Sequence, residues 1–217
     1  LSRGLGDVYK RQAIYKYYYK LRIKAFGLGE SIEASISING EKWRLSSKEE
    51  IALWICKGYV LNMDFPEVIY LNDEVRYVFK EVTTSNGHKY QSQPLLYTVI
   101  TPTIIHIHYD AQYLVQVASN YGKPYGYGWY DEGEIAHIGL NSGLYYYNQS
   151  IRYVFERWSG DLNTSKLSFT INVDKPKRVI ALWNEQYCIS LVFKNLRGTL
   201  IVNPELVTIM FQNNTRV

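Results

Sequence analysis

The tetrapeptide Arg-Tyr-Val-Phe occurs twice, at positions 76–79 and again at 152–155. Other landmarks keep nearly the same step. Trp54 and Gly58 return as Trp129 and Gly133, Pro102 returns as Pro176, and Gln112-Tyr113 returns as Gln186-Tyr187. The four offsets agree within two positions, which is the mark of tandem repetition, in which each unit is one supersecondary assembly that packs mainly on its neighbours. Residues 152–183 read as three strands and two tight turns, and residues 76–109 as their diverged copy. The expected organisation is a first unit over 13–110, a second over 111–184 and the opening of an incomplete third over 185–217, with a period of roughly 75 along the chain. Tyr19 and Tyr113, which open the first two units, are separated by more than that period. The first unit therefore carries about 19 extra residues, the size of a hairpin around Asn39-Gly40, and a turn is where insertion costs least. The spacing of Leu28 and Leu196 places the same insertion in the third opening.

Local patterns make every unit all-β. Aromatic residues are 15% of the chain, with 21 Tyr, and these together with Val, Ile and Thr suit a pleated, half-buried surface. From Tyr17 onward Tyr19, Leu21 and Ile23 alternate with Lys20, Arg22 and Lys24, which is the period of a half-buried strand. Asn39-Gly40 between two alternating runs predicts a two-residue hairpin, since both residues tolerate positive φ. Residues 49–56 read as a strand with a turn at Gly58, and residues 75–82 as another. Residues 95–100 and 103–109 are expected to pair as a hairpin interrupted by Pro102, which has no N–H to give. The second unit is expected to start afresh at Ala111, with a Gly- and Tyr-rich loop over 120–128, a strand over 134–140 and a polar connection over 142–150. The fold class expected is all-β, in tandem β-grasp-like or sandwich-like modules, with 47% hydrophobic residues to fill their cores.

Charge excludes one class of partner. The net charge is +4, but residues 1–12 hold Arg3, Lys10 and Arg11 against Asp7, and without them 21 basic residues face 19 acidic ones. A net of +2 leaves no phosphate-binding footprint, so no nucleic-acid partner is expected. Residues 7–12, DVYKRQ, read codon by codon as the translation of a transposon-end sequencing adapter. Residues 1–12 are therefore expected to be an artefact, and the chain a piece of a longer one. Cys56 and Cys188 fall at non-equivalent points of different units, which predicts buried free thiols rather than a disulfide. No apolar run reaches the ~18 to 20 residues a spanning helix needs.

Trp129-Tyr130-Asp131-Glu132-Gly133 follows a glycine-rich loop, Trp158-Ser159-Gly160-Asp161 ends a strand, and Trp183 ends a closing strand. In these features residues 113–183 resemble the divergent B-repeats of internalin-like and other bacterial and archaeal surface proteins. The first unit departs from that pattern, with Val82-Thr83-Thr84-Ser85 where Trp-Ser-Gly-Asp would stand. The resemblance implies a small extracellular module with a β-grasp-like sheet, strung in tandem as a stalk. It is silent on ligand.

Candidate sites divide between surface chemistry and core. Trp129, Tyr130 and Trp158 with Tyr145, Tyr146 and Tyr147 could form a sugar-stacking platform. Trp54 replaces Trp129 and Val82 replaces Trp158 in the other unit, so the tryptophans are expected in the core. Tyr145, Tyr146, Tyr147 and Tyr130 remain as candidate ligand residues. His106 and His108 lie on one strand face without an evident third metal ligand, and stand where the second unit has Ile180 and Leu182. Neither Asp161, Asn163 and Thr164 nor Asp131, Glu132 and Glu134 have calcium-loop spacing. Gly122, Gly126 and Gly128 make no dinucleotide fingerprint. Asn148, Asn163 and Asn213 open N-glycosylation triplets in turns or tails. No hydrolase, zincin or Cys-x-x-Cys motif is present, and no metal, cofactor or catalysis is expected. The expected function is a structural stalk of an exported or cell-surface protein, with neighbouring repeats as partners. The alternatives are a carbohydrate-binding or adhesive module meeting surface glycans or proteins, and the β repeats of a secreted enzyme whose catalytic domain lies elsewhere.

Overall fold

The computed structural model describes residues 15–189, Val192, Lys194 and residues 196–200. Residues 1–12 and most of the expected third opening lie outside them. Ten strands occupy the first part of the chain: β1 (Tyr18–Phe26), β2 (Glu33–Ile38), β3 (Glu41–Ser46), β4 (Ile51–Cys56), β5 (Val60–Asp64), β6 (Val68–Tyr70), β7 (Val75–Thr84), β8 (Lys89–Tyr90), β9 (Leu95–Thr98) and β10 (Thr103–Ala118). Seven follow: β11 (Pro124–Tyr125), β12 (Gly128–Asp131), β13 (Ile135–Leu140), β14 (Leu144–Tyr146), β15 (Ile151–Gly160), β16 (Ser168–Asn172) and β17 (Lys177–Tyr187). Among the described residues there is no helix, and the fold is all-β.

One large sheet runs β14-β15-β17-β10-β1-β4, with β7 and β12 also on β10, and β6 and β8 on β7. Two small sheets, β3-β2-β5-β9 and β11-β13-β16, complete the fold. The first closes a core containing Leu21, Ile23, Ile36, Leu45, Leu61, Met63, Val82, Ile105 and Ile107, all at most 1% exposed. The second closes a separate core around Trp158, Val115, Ile138, Val173 and Val179, all fully buried. Each core lies between the large sheet and one small sheet, a sandwich arrangement.

The spine of the molecule is β10, sixteen residues and about 53 Å of extended chain. Its residues 103, 105, 107, 109, 111, 113, 115 and 117 turn to the core side without a slip, and no Gly or Pro interrupts them. The first half pairs in parallel with β1 and the second half in parallel with β17. The expected fresh start at Ala111 is therefore not a break. On the edge of β10 that also carries β17, opposite β1, the β7 ladder crosses the same point, running from Ile105↔Thr84 to Tyr113↔Val75.

Similar pairings lie on the two sides of that point. Leu21 faces Thr103 between β1 and β10, and Val115 faces Lys177 between β10 and β17. The β7–β10 ladder shifts register at Lys80, and the β15–β17 ladder shifts at Glu156. Gly58 N–H donates to Val99 O at 2.7 Å, and Gly133 N–H to Val173 O at 2.8 Å.

Other expectations are corrected. β9 and β10 do not form a hairpin: β9 pairs with β5 in the small sheet, while β10 lies in the large one. Pro102 sits where the chain crosses between layers, and there Tyr97 Oη donates to Thr103 Oγ1 at 2.9 Å. The polar connection over 142–150 contains β14, which pairs with β15. The Asn39-Gly40 hairpin forms as expected, with φ of 51° and 87° and Ile38 facing Glu41. Trp54 is not core but 68% exposed, because Ile51, Leu53 and Ile55 take the inward side of β4 and alternation sends Trp54 outward. Trp129 is likewise outside the buried core, whereas Trp158 is fully buried and Trp183 packs at the edge of the second core. Cys56 is half-buried and Cys188 exposed, so the expectation of buried thiols fails at both; neither is in a disulfide.

Candidate functional site

Tyr121, Tyr145 and Tyr153 gather where the loop before β11 meets the β14–β15 hairpin. Cross-strand pairing sets Tyr145 beside Tyr153, and both rings stack on Tyr121. The centroid separations are 4.7 Å to Tyr145 and 4.2 Å to Tyr153, at interplanar angles of 23° and 18°. Trp183 meets Tyr121 edge-on at 5.5 Å, the other favoured aromatic geometry.

Local chemistry holds the loop there. Trp183 Nε1 donates to Ser119 Oγ at 3.0 Å, and Ser119 Oγ donates to Tyr121 O at 2.7 Å. Gly122, at φ 76°, lies so close to the Trp183 ring that a Cβ would sit 2.8 Å from it and would collide with Ser142 O. Only glycine meets both demands, the left-handed backbone and the close approach. Tyr153 Oη donates to Glu185 Oε1 at 3.2 Å. Its bond with Tyr121, loss of solvent and the Glu185 charge push the Tyr153 phenol upward, so it remains a neutral donor at physiological pH.

Alternation divides the candidate tyrosines. Tyr145 joins the stack, while Tyr146, 64% exposed, turns to the other face of β14 opposite Arg152. The N–H of Tyr147 donates to Ile151 O in the hairpin turn. Tyr130 stands apart: it packs on the second core and its hydroxyl donates to Gly126 O at 3.1 Å. Burial first, and then Glu134, raises its phenol. Tyr121 and Tyr153 were missed as site residues. The density of Tyr and Gly over 120–128 was the available signal, but only tertiary contact reveals that Tyr121 is the ring on which the others stack.

A shallow groove of about 510 Å³ runs beside the stack, lined by Ser119, Tyr121, Lys123, Asn141, Leu144 and Tyr145. A second depression, about 330 Å³, lies on the other side of the hairpin against Tyr146, Asn148, Arg152, Gln186 and Cys188.

The remaining candidates are held by their own neighbourhoods. His106 and His108 flank the Phe26 ring at 4.8 and 5.4 Å, and His108 Nε2 bonds Thr83 Oγ1 at 2.8 Å. Burial, His108 and Lys24 lower the His106 imidazole. Among the described residues no three His, Cys, Asp or Glu side chains converge as metal ligands would. Asp161 Oδ2 accepts the Arg178 N–H at 2.6 Å, which ties the end of β15 to β17, and Glu134 Oε2 accepts the Asp131 N–H at 3.0 Å, which closes the turn before β13. Asn148 Oδ1 accepts from the N–H groups of Ser150 and Ile151, both at 2.8 Å. Asn163 is exposed, and Asn213 lies outside the described residues. Compared with protein families, curated proteins and solved structures, the chain matches none.

Proposed function

We propose that the chain is a non-catalytic structural segment of an exported or cell-surface protein, built of tandem modules similar to internalin-type B-repeats, which holds other domains away from a surface. These modules follow one another at a sequence period of roughly 75. The observation that carries this reading is β10, which closes the first core and opens the second as one strand. The like registers on its two sides and the bulges at Lys80 and Glu156 support two units of one design. A junction made of continuous strand, with the β7 ladder crossing it, has no linker in which to bend. That is the mechanical requirement of a spacer. Carbohydrate recognition has weaker support, because the tyrosine rings turn their faces on one another and clamp the loop over 119–123 to the hairpin.

The test is to insert four Gly/Ser residues between Asp110 and Ala111 and compare small-angle scattering of the two proteins. The native chain is expected to scatter as a single rigid body and the insertion variant as two jointed ones. Native scattering that already requires two freely jointed bodies would sink the spacer reading.

A further inference from the structure

On the face of the large sheet turned away from the cores, the junction is fastened by one side chain of the second half. The guanidinium of Arg76 lies 4.4 Å over the Trp129 ring. Arg76 Nε donates to Gln112 Oε1 at 2.8 Å, and Tyr70 meets the same indole edge-on at 6.2 Å. Trp129 is thus a peg carried on β12, paired with Leu114, in a socket made by Tyr70, Arg76 and Gln112.

The same socket is built a second time at the end of the second half. Tyr146 faces Arg152 across β14 and β15, as Tyr70 faces Arg76 across β6 and β7. Arg152 faces Gln186 as Arg76 faces Gln112, and Arg152 Nε donates to Gln186 Oε1 at the same 2.8 Å. The supporting backbone is also alike. Asn72 Oδ1 accepts the N–H groups of Glu74 and Val75, and Asn148 Oδ1 those of Ser150 and Ile151, all at 2.8 Å. Leu114 N–H donates to Glu74 O at 2.9 Å, and Cys188 N–H to Ser150 O at 2.7 Å.

Only the peg differs. Among the described residues no ring lies over Arg152, and the place is the depression of about 330 Å³ beside Tyr146, Gln186 and Cys188. Leu114, beneath Trp129, is 7% exposed, whereas Cys188 at the corresponding point is exposed. At the other end of the large sheet Trp54 holds the Trp129 position on β4, paired with Lys20, and is 68% exposed. Among the described residues, one end of the large sheet therefore presents an open socket and the other an uncovered peg, which is head-to-tail complementarity.

We propose that Tyr146, Arg152 and Gln186 form a docking socket for a tryptophan on the second strand of a following module in the same polypeptide, and that Trp54 is the matching peg for a preceding one. The proposal rests on the module reading above. Its occupant is argued from the internal precedent: the same arginine, glutamine and tyrosine in the same register are already filled by an indole once in this chain.

The experiment uses the full chain and an extended form in which a second copy of residues 111–184 is inserted after Asn184. In the extended form the copy's Gln112 replaces Gln186 and its Trp129 is brought to Arg152. An indole face moves the resonances of a guanidinium above it upfield, so the arginine side chains are followed by NMR. In the natural chain only Arg76 is expected to show that shift. In the extended chain Arg152 is expected to join it, and to lose the shift when the copy's Trp129 is changed to leucine. An exposed cation–π contact of this kind corresponds to roughly 2- to 5-fold in the folding equilibrium constant of the appended copy, lost on Arg152→Ala. Arg152 left unshifted beside a folded copy, with Arg76 shifted as before, would overturn the socket and leave the module reading standing. A copy that does not fold would overturn both. Concentration-dependent dimerisation of the natural chain, abolished by Trp54→Ala, would reassign the socket to a second molecule and overturn the same-chain occupant.

Discussion

Replacing Trp158 by alanine tests how the two cores are divided. Trp158 is fully buried, with the rings of Phe155 and Phe169 each 5.8 Å from its own, and its Nε1 donates to Leu167 O at 3.4 Å. Truncating a buried tryptophan costs about 3–5 kcal/mol. A unit the size of residues 111–184 has roughly 4 to 11 kcal/mol in total at the usual stability per residue. For a domain of this size each kcal/mol moves the midpoint by about 4–8 °C, so the half containing Trp158 should melt roughly 12 to 40 °C earlier. The first core shares no buried residue with the second. Residues 17–110 should therefore stay folded, and the variant should show two transitions. Calorimetry with amide hydrogen exchange separates these outcomes. Protection lost around Ala136, Ile138 and Val179, but kept around Ile23, Ile36 and Met63, is the expected pattern. Equal loss of protection in both regions would refute the division into two cores. An unchanged midpoint would refute the place given to Trp158 itself.

Two further outcomes follow from single contacts. Gly122→Ala forces a side chain into a backbone at φ 76° and against Trp183, so it should cost at least about 1–2 kcal/mol and release the tyrosine stack; unchanged near-ultraviolet dichroism would count against that account. Lys177 is only 9% exposed and its ammonium bonds Asp174, and that bond and the lysine charge hold the Asp174 carboxyl below its ordinary value of 3.8. A carboxyl depressed on folding contributes stability that is present above its unfolded pKa and lost as pH falls through its folded one. Asp174→Asn should therefore lower the melting temperature at neutral pH and flatten its decline in acid, and parallel melting curves for the two proteins would rule the contribution out.

Much of this fold was legible from alternation. The run from Tyr19 to Lys24 and the Asn39-Gly40 turn appear where period and turn chemistry place them. The two Arg-Tyr-Val-Phe segments lie on β7 and β15, and each of those strands carries one register shift in its ladder. Partner choice was not legible. Residues 95–100 and 103–109 are close in sequence and equally apolar, yet the first run pairs with β5 and the second with β1 and β7. Short separation favours a hairpin only when the chain reverses within one layer, and here it changes layer at Pro102. The candidate tyrosines show the same limit. Adjacent residues Tyr145 and Tyr146 went to opposite faces, and the ring that joins Tyr145 to Tyr153 came from residue 121.

Which residues can be strands, and which of them face alike, is settled in the amino-acid order, because side-chain alternation is a property of the local backbone and needs no partner. The same order carries the nearly equal spacing of Arg76 to Arg152 and of Trp54 to Trp129. The passage of β10 unbroken from one core to the next is settled by packing instead, since continuity depends on β7 pairing across the point where a boundary was expected. Packing also selects which tryptophan is buried. Trp158 and Trp54 are both apolar residues on strands, but a small sheet covers the side of one and leaves the side of the other open.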